Sequence, residues 1–293
     1  MYEEISKLSI VKGSQQGKVR DIFDLGDTLL IVTTDRISAF DVILPDPLPG
    51  KGAILNLIAA HIFKTTRHIV PNHFLTDRIE DYPAEFQPFQ EYLSGRSMLV
   101  KKCRVIPIEC IVRGYISGSA WSEYQRTGTV GGMLIPEEMK ESQKFPKPLF
   151  TPSTKATKGH DENISYREMQ NFMDRYIAEF LRDKSLELYN HAHAQLLAKG
   201  IVLADTKFEF GVLGNEIILV DEALTPDSSR FWELSEYAVG KSPNSYDKQI
   251  VRDYLSSLGW NKRPPAPYLP DEIKQQALEK YREIKDIIIG ACN

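Results

Sequence analysis

The sequence lacks the features that mark proteins of membranes and of oxidising compartments. Its three cysteines, Cys103, Cys110 and Cys292, are odd in number and have no C-x-x-C spacing, so we expect neither a disulfide framework nor a thiolate metal site. No run reaches the roughly 18 apolar residues of a membrane span, and the opening MYEEISKLSIVKGS has no signal-peptide core. We therefore predict a cytoplasmic location and no membrane partner.

Two signatures of nucleic-acid and nucleotide binding are also missing. The 36 basic and 40 acidic residues give a net charge of −4, which offers no general attraction to a polyanion, so no nucleic-acid partner is expected. The phosphate-binding motifs GxxxxGK[ST] and GxGxxG do not occur. Any nucleotide site in this chain must therefore be built from other residues.

The sequence does contain enough apolar residues for a large core. Hydrophobic residues make up 42% of the 293 positions, and there are 13 Phe and 13 Tyr. This length exceeds the roughly 100 to 200 residues of one ordinary domain. The composition predicts a folded protein of two lobes that share one interface.

Local patterns in the first half predict a hairpin, a helix and two strands. Apolar runs on both sides of Gly26-Asp27 predict the hairpin over residues 21–34, and apolar residues at helical spacing predict the helix over 55–63. Runs of β-forming residues predict strands over 98–106 and 108–112.

The second half is predicted to begin with a loop and to continue mainly as helices. Residues 143–164 contain three prolines and no apolar periodicity, which predicts a long surface loop able to act as a substrate lid. A capping box beginning at Ser165 predicts one helix that ends at Lys199-Gly200, with His191 and His193 on its surface. Further helices are predicted over 247–258 and 271–289.

The segment Asp205-Thr-Lys-Phe-Glu209 carries the clearest chemical signal. If it is a strand, Asp205, Lys207 and Glu209 share one face and the aromatic residues take the other. A three-residue turn at Leu213-Gly-Asn215 would put Asp221 on the charged side, and a two-residue turn would not. Carboxylates around one lysine suit Mg²⁺ with nucleotide phosphates, although a surface hairpin with a charged outer face has the same pattern.

Three basic segments next to glycine or serine could bind anions. Taken alone, Gly17-Lys-Val-Arg20 is more typical of a solvated strand face, and Arg113-Gly-Tyr-Ile-Ser-Gly-Ser119 equally suits a plain turn that opens a helix. Two arginine-containing turns together indicate an anionic substrate. The segments are Gly17-Lys-Val-Arg20, Arg113-Gly-Tyr-Ile-Ser-Gly-Ser119 and Thr225-Pro-Asp-Ser-Ser-Arg230.

Five motifs in order resemble the phosphoribosylaminoimidazole-succinocarboxamide synthases, the SAICAR synthetase family of purine biosynthesis. Each motif is a modest signal, and their common order is specific. The resemblance extends from residue 17 to about residue 254. The motifs are GKVRD at 17–21, DRISAFD at 35–41, IECIVRGYISGSAW at 108–121, ADTKFEFG at 204–211 and VDEALTPDSSRFW at 220–232.

The resemblance implies a fold and a reaction. The fold is α/β (α+β), with a small β-rich N-terminal lobe over residues 1–105 and a larger ATP-grasp-like lobe over 106–293. The reaction joins L-aspartate to 5-amino-1-(5-phosphoribosyl)imidazole-4-carboxylate, the carboxyaminoimidazole ribotide, and consumes ATP with Mg²⁺. The longer C-terminal half resembles the fungal-type branch, which implies a monomer.

The resemblance also implies roles for particular residues. Metal ligands are Glu209 and Asp221, and the catalytic residues beside them are Lys207 and Asp205. Nucleotide-binding residues are Lys18, Arg20, Lys102 and Glu109. Substrate-binding residues are Arg113, Ser119, Arg230, Ser38 and Asp41. A guess for the aspartate pocket is the segment with Lys155, Lys158, His160 and Asp161.

Two other functions fit the residues less well. A small-molecule kinase would use a similar nucleotide cleft, with a hydroxyl group accepting the phosphoryl group, and a regulatory module would bind nucleotide without turnover.

For the ligase, we expect phosphorylation of a carboxylate to give an acyl phosphate. The aspartate amine then displaces the phosphate from it, and no protein nucleophile is needed. Closure of the 143–164 loop would keep water from that intermediate.

Overall fold

The structure is a computed structural model and describes residues 1–136, 138–155, 162–246 and 248–290. Its N-terminal part is a five-stranded antiparallel sheet in the order β1-β2-β3-β7-β6, packed against helix α2. The elements of this part are α1 (Tyr2–Ser6), β1 (Gly13–Gln16), β2 (Arg20–Asp24), β3 (Thr28–Thr33), β4 (Ser38–Ala39), β5 (Val42–Ile43), α2 (Lys51–Thr65), β6 (Phe74–Thr76), α3 (Gln90–Leu93) and β7 (Ser97–Lys101), with 3₁₀ turns at Ile79–Asp81 and Ala84–Phe89.

The larger part is built on an eight-stranded sheet whose central strand is β15. Strands β9, β16, β17 and β8 all pair with β15, and β12 and β13 pair with β9. The elements are β8 (Arg104–Val105), β9 (Ile108–Tyr115), α4 (Gly118–Thr127), β10 (Thr129–Val130), β11 (Met133–Leu134), β12 (Lys144–Phe150), β13 (Ser153–Thr154), β14 (Glu162–Asn163), α5 (Tyr166–Phe172), α6 (Arg175–Leu197), β15 (Ile201–Leu213), β16 (Glu216–Val220), β17 (Ser229–Glu233), a 3₁₀ turn at Leu234–Glu236, α7 (Gln249–Ser257) and α8 (Asp271–Ile289).

One hydrophobic cluster continues from the first sheet into the second. It contains Ile31 of β3 and Ile58 of α2 together with Val112 of β9, Phe208 of β15 and Tyr281 of α8. The division of lobes between residues 105 and 106 stays a prediction, but the two parts share this core. Among the described residues, no helix combines the length and apolar character needed to cross a membrane.

Several predicted elements are confirmed. The first hairpin is formed by β2 and β3, α2 contains the predicted helix over 55–63, and the strands β7 and β9 overlap the predicted strands over 98–106 and 108–112. Helix α8 has the predicted bounds. The helix predicted from residue 247 is present as α7, which begins at Gln249, while Asp247 lies outside the described residues.

The predicted loop over 143–164 is wrong for most of its described length, which forms the strands β12, β13 and β14. Strand β12 pairs with β9, and Phe145 and Phe150 are buried. The register of this pairing is irregular between Lys144 and Leu149, where two prolines cannot donate to the ladder. The prolines therefore gave this segment the pattern of a loop, although long-range pairing makes it a strand. Residues 156–161 of the predicted lid lie outside the described residues.

The predicted single helix from residue 165 to 199 is interrupted. The capping box at Ser165 is present and begins α5, but this helix ends at Phe172. Asp174 then caps α6 by accepting hydrogen bonds from the backbone N–H groups of Tyr176 and Ile177. The apolar periodicity continues through the break because both helices cover the same core. The capping residue Asp174 was therefore the local sequence signal for a second helix.

Candidate active site

Strand β15 presents charge on one face and aromatic residues on the other, as predicted. Phe208 and Phe210 are fully buried in the core. Asp205, Lys207 and Glu209 alternate with them and line the opposite face. Strand β15 is continuous over 13 residues, so the three charged side chains have a rigid common support.

Lys207 and Glu209 form the centre of an ionic cluster. The Lys207 Nζ atom lies 2.7 Å from Glu209 Oε1 and 3.1 Å from Oε1 of Glu109 on the neighbouring strand β9. Lys155 Nζ lies 2.5 Å from the other Glu209 oxygen. Burial by itself would raise the pKa of Glu209, but Lys207 and Lys155 outweigh it and lower the pKa to about 2.

Asp221 joins this cluster in spite of the turn length. The β15–β16 turn has two residues, because Leu213 pairs with Glu216 and Glu209 with Val220. By strand alternation the side chain of residue 221 would then face away. However, Asp221 follows the end of β16 and has φ +64°, so the chain leaves the strand geometry at this residue. Its Oδ2 atom lies 4.0 Å from Lys207 Nζ.

Arg20 connects the N-terminal sheet to this cluster. Its guanidinium lies 3.0 Å from Asp221 Oδ1 and also forms an ion pair with Glu222. Burial raises the pKa of Asp221, an effect that Arg20 only partly offsets. Glu222 also accepts a 2.5 Å hydrogen bond from the Thr225 hydroxyl. We call Glu109, Glu209, Asp221 and Glu222 the carboxylate end of β15.

The donor chemistry of the carboxylate end fits Mg²⁺. Carboxylate oxygens are the ligands this ion prefers, and it commonly uses one or two of them together with phosphate oxygens and water. Within the described ranges, no group of three or more His, Cys, Asp or Glu is arranged to hold an ion by itself. The residues present therefore suit a metal that arrives with a nucleotide phosphate.

The other end of β15 opens into a pocket with an excess of cations. Asp205 Oδ2 lies 3.4 Å from Arg113 Nη1 and also pairs with Arg230. Arg113 donates to the Thr151 hydroxyl at 3.0 Å and to Ser119 Oγ at 3.5 Å. Burial lowers the pKa of Arg113, which Asp205 opposes.

This cavity, which we call the arginine pocket, has a volume of about 200 Å³ and is lined in part by Arg113, Ser119, Asp205, Lys207 and Arg230. Gly118 permits its shape, because φ is +54° and a Cβ at this position would overlap the Arg230 guanidinium. The structure thus brings Arg113 and Ser119, which share one sequence motif, together with Arg230 of another motif.

The remaining predicted residues lie at the edges of these two regions. Ser38 and Asp41 line an adjoining cavity together with Ser119 and Arg230. Lys18 pairs with Asp41 at 2.6 Å on the exposed surface. Lys102 pairs with Asp24 at 2.6 Å, whereas Glu109 contacts Lys207. For the proposed aspartate pocket, Lys155 contacts Glu209, and the other three residues lie outside the described ones.

Sequence reasoning missed several buried polar groups near the site. His193 was predicted on a helix surface but is buried, with its Nε2 atom 3.2 Å from the Tyr115 hydroxyl. Lys51, Asp227 and Lys248 form a buried ionic cluster next to the arginine pocket. The only local signal for Lys51 was a charged residue at the start of a mostly apolar helix.

Comparison with known proteins identifies the family. The family model described as SAICAR synthetase matches residues 14–267. The chain belongs to the SAICAR synthetase family. The phosphoribosylaminoimidazole-succinocarboxamide synthase of Geotalea uraniireducens is 53% identical, with 93% of each chain covered, and that of Thermodesulfovibrio yellowstonii is 50% identical, with 97% of each covered.

Solved SAICAR synthetase structures share the fold. The structure described as SAICAR-synthase from Saccharomyces cerevisiae complexed SAICAR is 42% identical, covers 97% of this chain and 96% of its own, and has a TM-score of 0.87. The synthase from Ehrlichia chaffeensis, at 23% identity, has a TM-score of 0.69 with 95% and 99% covered. The higher TM-score with the yeast enzyme agrees with the predicted resemblance to the fungal-type branch.

Membership of the SAICAR synthetase family decides between the functions that the sequence left open. The protein is a ligase that forms a carbon–nitrogen bond. The predicted ATP-dependent ligation of L-aspartate in purine biosynthesis is confirmed, and the predicted α+β fold is confirmed with it. The small-molecule kinase and the regulatory module are excluded as its principal function.

Proposed function

We propose that the ligation proceeds through an acyl phosphate of the ribotide carboxylate. A carboxylate is a poor acceptor for an amine, so a carboxylate oxygen first takes the γ-phosphoryl group of ATP, and ADP leaves. The amine of L-aspartate then attacks the carbonyl carbon and loses a proton as the amide bond forms. The bond from that carbon to the phosphate oxygen breaks, and inorganic phosphate is released.

The position of Lys207 is the observation that carries this proposal. Its side chain lines the arginine pocket and also contacts Glu209 at the carboxylate end. The carboxylates Glu209, Asp221 and Glu109 raise the pKa of Lys207 against the effect of burial, which favours a charged ammonium group. A fixed cation between the two regions would stabilise the negative charge on a phosphoryl group during its transfer.

We assign the arginine pocket to the ribotide. Arg113 and Arg230 offer fixed guanidinium groups, which suit phosphate and carboxylate oxygens, and Asp205 holds both in place. Ser119, Ser38 and Asp41 would complete this side of the site. The yeast structure described as complexed with SAICAR supports a ribotide-sized ligand in an enzyme of this fold.

We assign the carboxylate end to ATP and Mg²⁺. Glu209 and Asp221 would hold the metal, which supplies charge neutralisation at the phosphates when bound. On the nucleotide side we propose Lys18, Arg20, Lys102 and Glu109, although Arg20 is engaged with Asp221 and Glu222. A fold relative described as SAICAR synthetase in complex with ADP supports nucleotide binding by this architecture.

An isotope experiment tests the acyl phosphate. Ribotide labelled with ¹⁸O in its carboxylate is turned over with ATP and L-aspartate, and the inorganic phosphate is analysed by mass spectrometry. We expect one ¹⁸O atom per phosphate, because the carboxylate oxygen leaves with the phosphoryl group. Unlabelled phosphate formed alongside the product would overturn the acyl phosphate. Omitting each substrate in turn provides the background for ATP hydrolysis.

Three further assignments complete the proposal. Lys155, close to Glu209, is the described candidate for binding L-aspartate. A cytoplasmic location accords with Cys103 and Cys110, which form no disulfide. A monomer follows from the fungal-type resemblance, and light scattering coupled to size-exclusion chromatography measures it directly.

A further inference from the structure

A buried ionic cluster lies next to the arginine pocket, whose lining includes its central residue, and is not used by the chemistry above. Its centre is Asp227, whose side chain is 5% exposed. Asp227 Oδ2 lies 2.9 Å from Lys51 Nζ and 3.0 Å from Lys248 Nζ. Asp227 Oδ1 accepts a 2.7 Å hydrogen bond from the Tyr281 hydroxyl. One carboxylate is therefore held from the start of α2, from the residue before α7, and from α8.

Lys51 occupies an unfavourable position for a cation. Its side chain is fully buried, and it is the first residue of α2, where the helix dipole disfavours positive charge. Burial lowers the pKa of Lys51 to about 8, although Asp227 opposes this effect. Lys51 also donates to the Arg36 carbonyl at 3.2 Å. Because burying a charge is costly, an ion pair of this kind does not by itself indicate that Lys51 serves only to stabilise the fold.

Asp227 belongs to the turn that presents Arg230 to the arginine pocket. Within this turn the Asp227 backbone N–H donates to the Thr225 hydroxyl at 3.3 Å, and the Ser228 N–H donates to the Thr225 carbonyl at 3.0 Å. The Ser228 carbonyl then accepts from the Lys207 N–H at 2.9 Å. Strand β17 follows, with Arg230 opposite Asp205. The carboxylate that Lys51 holds is thus three residues from the guanidinium of the pocket.

We propose that Lys51 is a positioning residue for the ribotide. Through Asp227 it fixes the Thr225–Arg230 turn, and with it the direction of the Arg230 guanidinium in the arginine pocket. Because Lys51 belongs to α2, the N-terminal part of the chain sets the geometry of a pocket in the larger sheet. This inference rests on the proposed assignment of the arginine pocket to the ribotide.

The test compares two lysines of the same helix. Lys51→Met removes the buried cation with little change in side-chain length, and Lys64→Met removes an exposed lysine that pairs with Asp77 at 2.8 Å. Calorimetric titration with SAICAR and, separately, with ADP measures the two halves of the site. For Lys51→Met we expect SAICAR affinity to fall about tenfold with ADP affinity unchanged, and for Lys64→Met we expect neither to change.

Kinetics and a milder variant separate positioning from a folding defect. A positioning role raises KM for the ribotide more than it lowers kcat, whereas partial unfolding lowers kcat and leaves KM unchanged. Tyr281→Phe removes one hydrogen bond to Asp227 without emptying the core, and we expect a loss of SAICAR affinity of about threefold in a fully folded protein. This variant keeps the test decisive where Lys51→Met does not fold.

Arg230→Met distinguishes this inference from the proposed function. If Arg230→Met loses SAICAR affinity while Lys51→Met and Tyr281→Phe keep that of the native protein, the positioning role is overturned and the ribotide assignment stands. Native SAICAR affinity in Arg230→Met overturns the assignment and the inference with it. Loss in all three variants, with ADP affinity retained, supports both.

Discussion

The two ends of strand β15 differ in the sign of their charge. In the arginine pocket one carboxylate, Asp205, is shared by two arginines. At the carboxylate end four acidic groups face Arg20, Lys155 and Lys207. At about 3.3 Å per residue, Asp205 and Glu209 are separated by roughly 13 Å along the strand, with Lys207 halfway. The proposed ribotide site and the proposed nucleotide site therefore share one strand, with Lys207 between them.

The largest expected effect comes from neutralising the carboxylate end. Glu209→Gln and Asp221→Asn keep the side-chain shape and remove the charge that would hold Mg²⁺, so we expect turnover to fall at least about 10³-fold. A coupled assay of ADP release measures this, and titration with SAICAR should show retained affinity at the arginine pocket. Glu216→Gln, at the exposed start of β16, is the control. Near-native turnover in both site variants would refute the metal assignment.

Removing a cation from the arginine pocket should weaken SAICAR binding and leave ADP binding intact. Arg113→Met eliminates a buried guanidinium, and we expect SAICAR affinity to fall about 10²-fold while ADP affinity is retained. Arg126→Met, on the exposed side of α4, is the matched control. Equal losses for SAICAR and ADP in Arg113→Met would show that the two ends do not act as separate binding regions.

A third prediction concerns the support behind the carboxylate end. His73 is 3% exposed, its Nε2 atom has no hydrogen-bond partner among the described residues, and its ring packs edge-on against Phe63 at 4.9 Å between centroids. Burial, with a smaller effect of Arg20, lowers the pKa of His73 to about 3. Between pH 6.5 and 3 the unfolded chain therefore binds a proton at this residue that the folded protein does not.

The sign of the resulting pH dependence follows from proton linkage. The free energy of unfolding of the native protein should fall as the pH falls through this window. That of the His73→Gln variant should fall less steeply. The difference in slope is about 1.4 kcal/mol per pH unit, or about 2 kcal/mol between pH 6.5 and 5. Urea unfolding at several pH values measures it, with His68→Gln as the control for loss of an exposed imidazole. Parallel curves for the native protein and His73→Gln would contradict the lowered pKa.

The smallest effect is expected at Ser119. Its Oγ atom lies 3.5 Å from Arg113 Nη2, which is long for a hydrogen bond. We expect Ser119→Ala to weaken SAICAR binding by about threefold, measured by the same titration, and Ser122→Ala on the exposed side of α4 to have no effect. A loss greater than tenfold would mean that the Ser119 hydroxyl binds the ligand directly and is not a minor contact.

Much of the site was predictable from local pattern. The alternation of Asp205, Lys207 and Glu209 with buried aromatic residues follows from strand geometry alone, and it places three charged groups on one face. The order of five motifs indicated the family. The capping box at Ser165 and the helix over 271–289 were also readable, because short-range hydrogen bonds and apolar periodicity determine such elements.

Other features depended on contacts between distant residues. The pairing with β9 that makes β12 a strand was invisible in a segment rich in proline. Apolar periodicity alone predicted one continuous helix, whereas in the structure Asp174 caps the start of a second helix. His193 was missed because its partner, Tyr115, is far away in the sequence.

By itself, the sequence determined which residue types are available on each face of each element, because backbone geometry fixes side-chain direction at periods of two and about 3.6 residues. Tertiary structure decided which of those faces meet. The positive φ of Asp221 turned its carboxylate toward Lys207 against the register of its own hairpin. Likewise only the packing of α2 and α8 around one turn brought Lys51 to Asp227. A buried charge is stable only with its partner, and that partner is supplied by the folded chain.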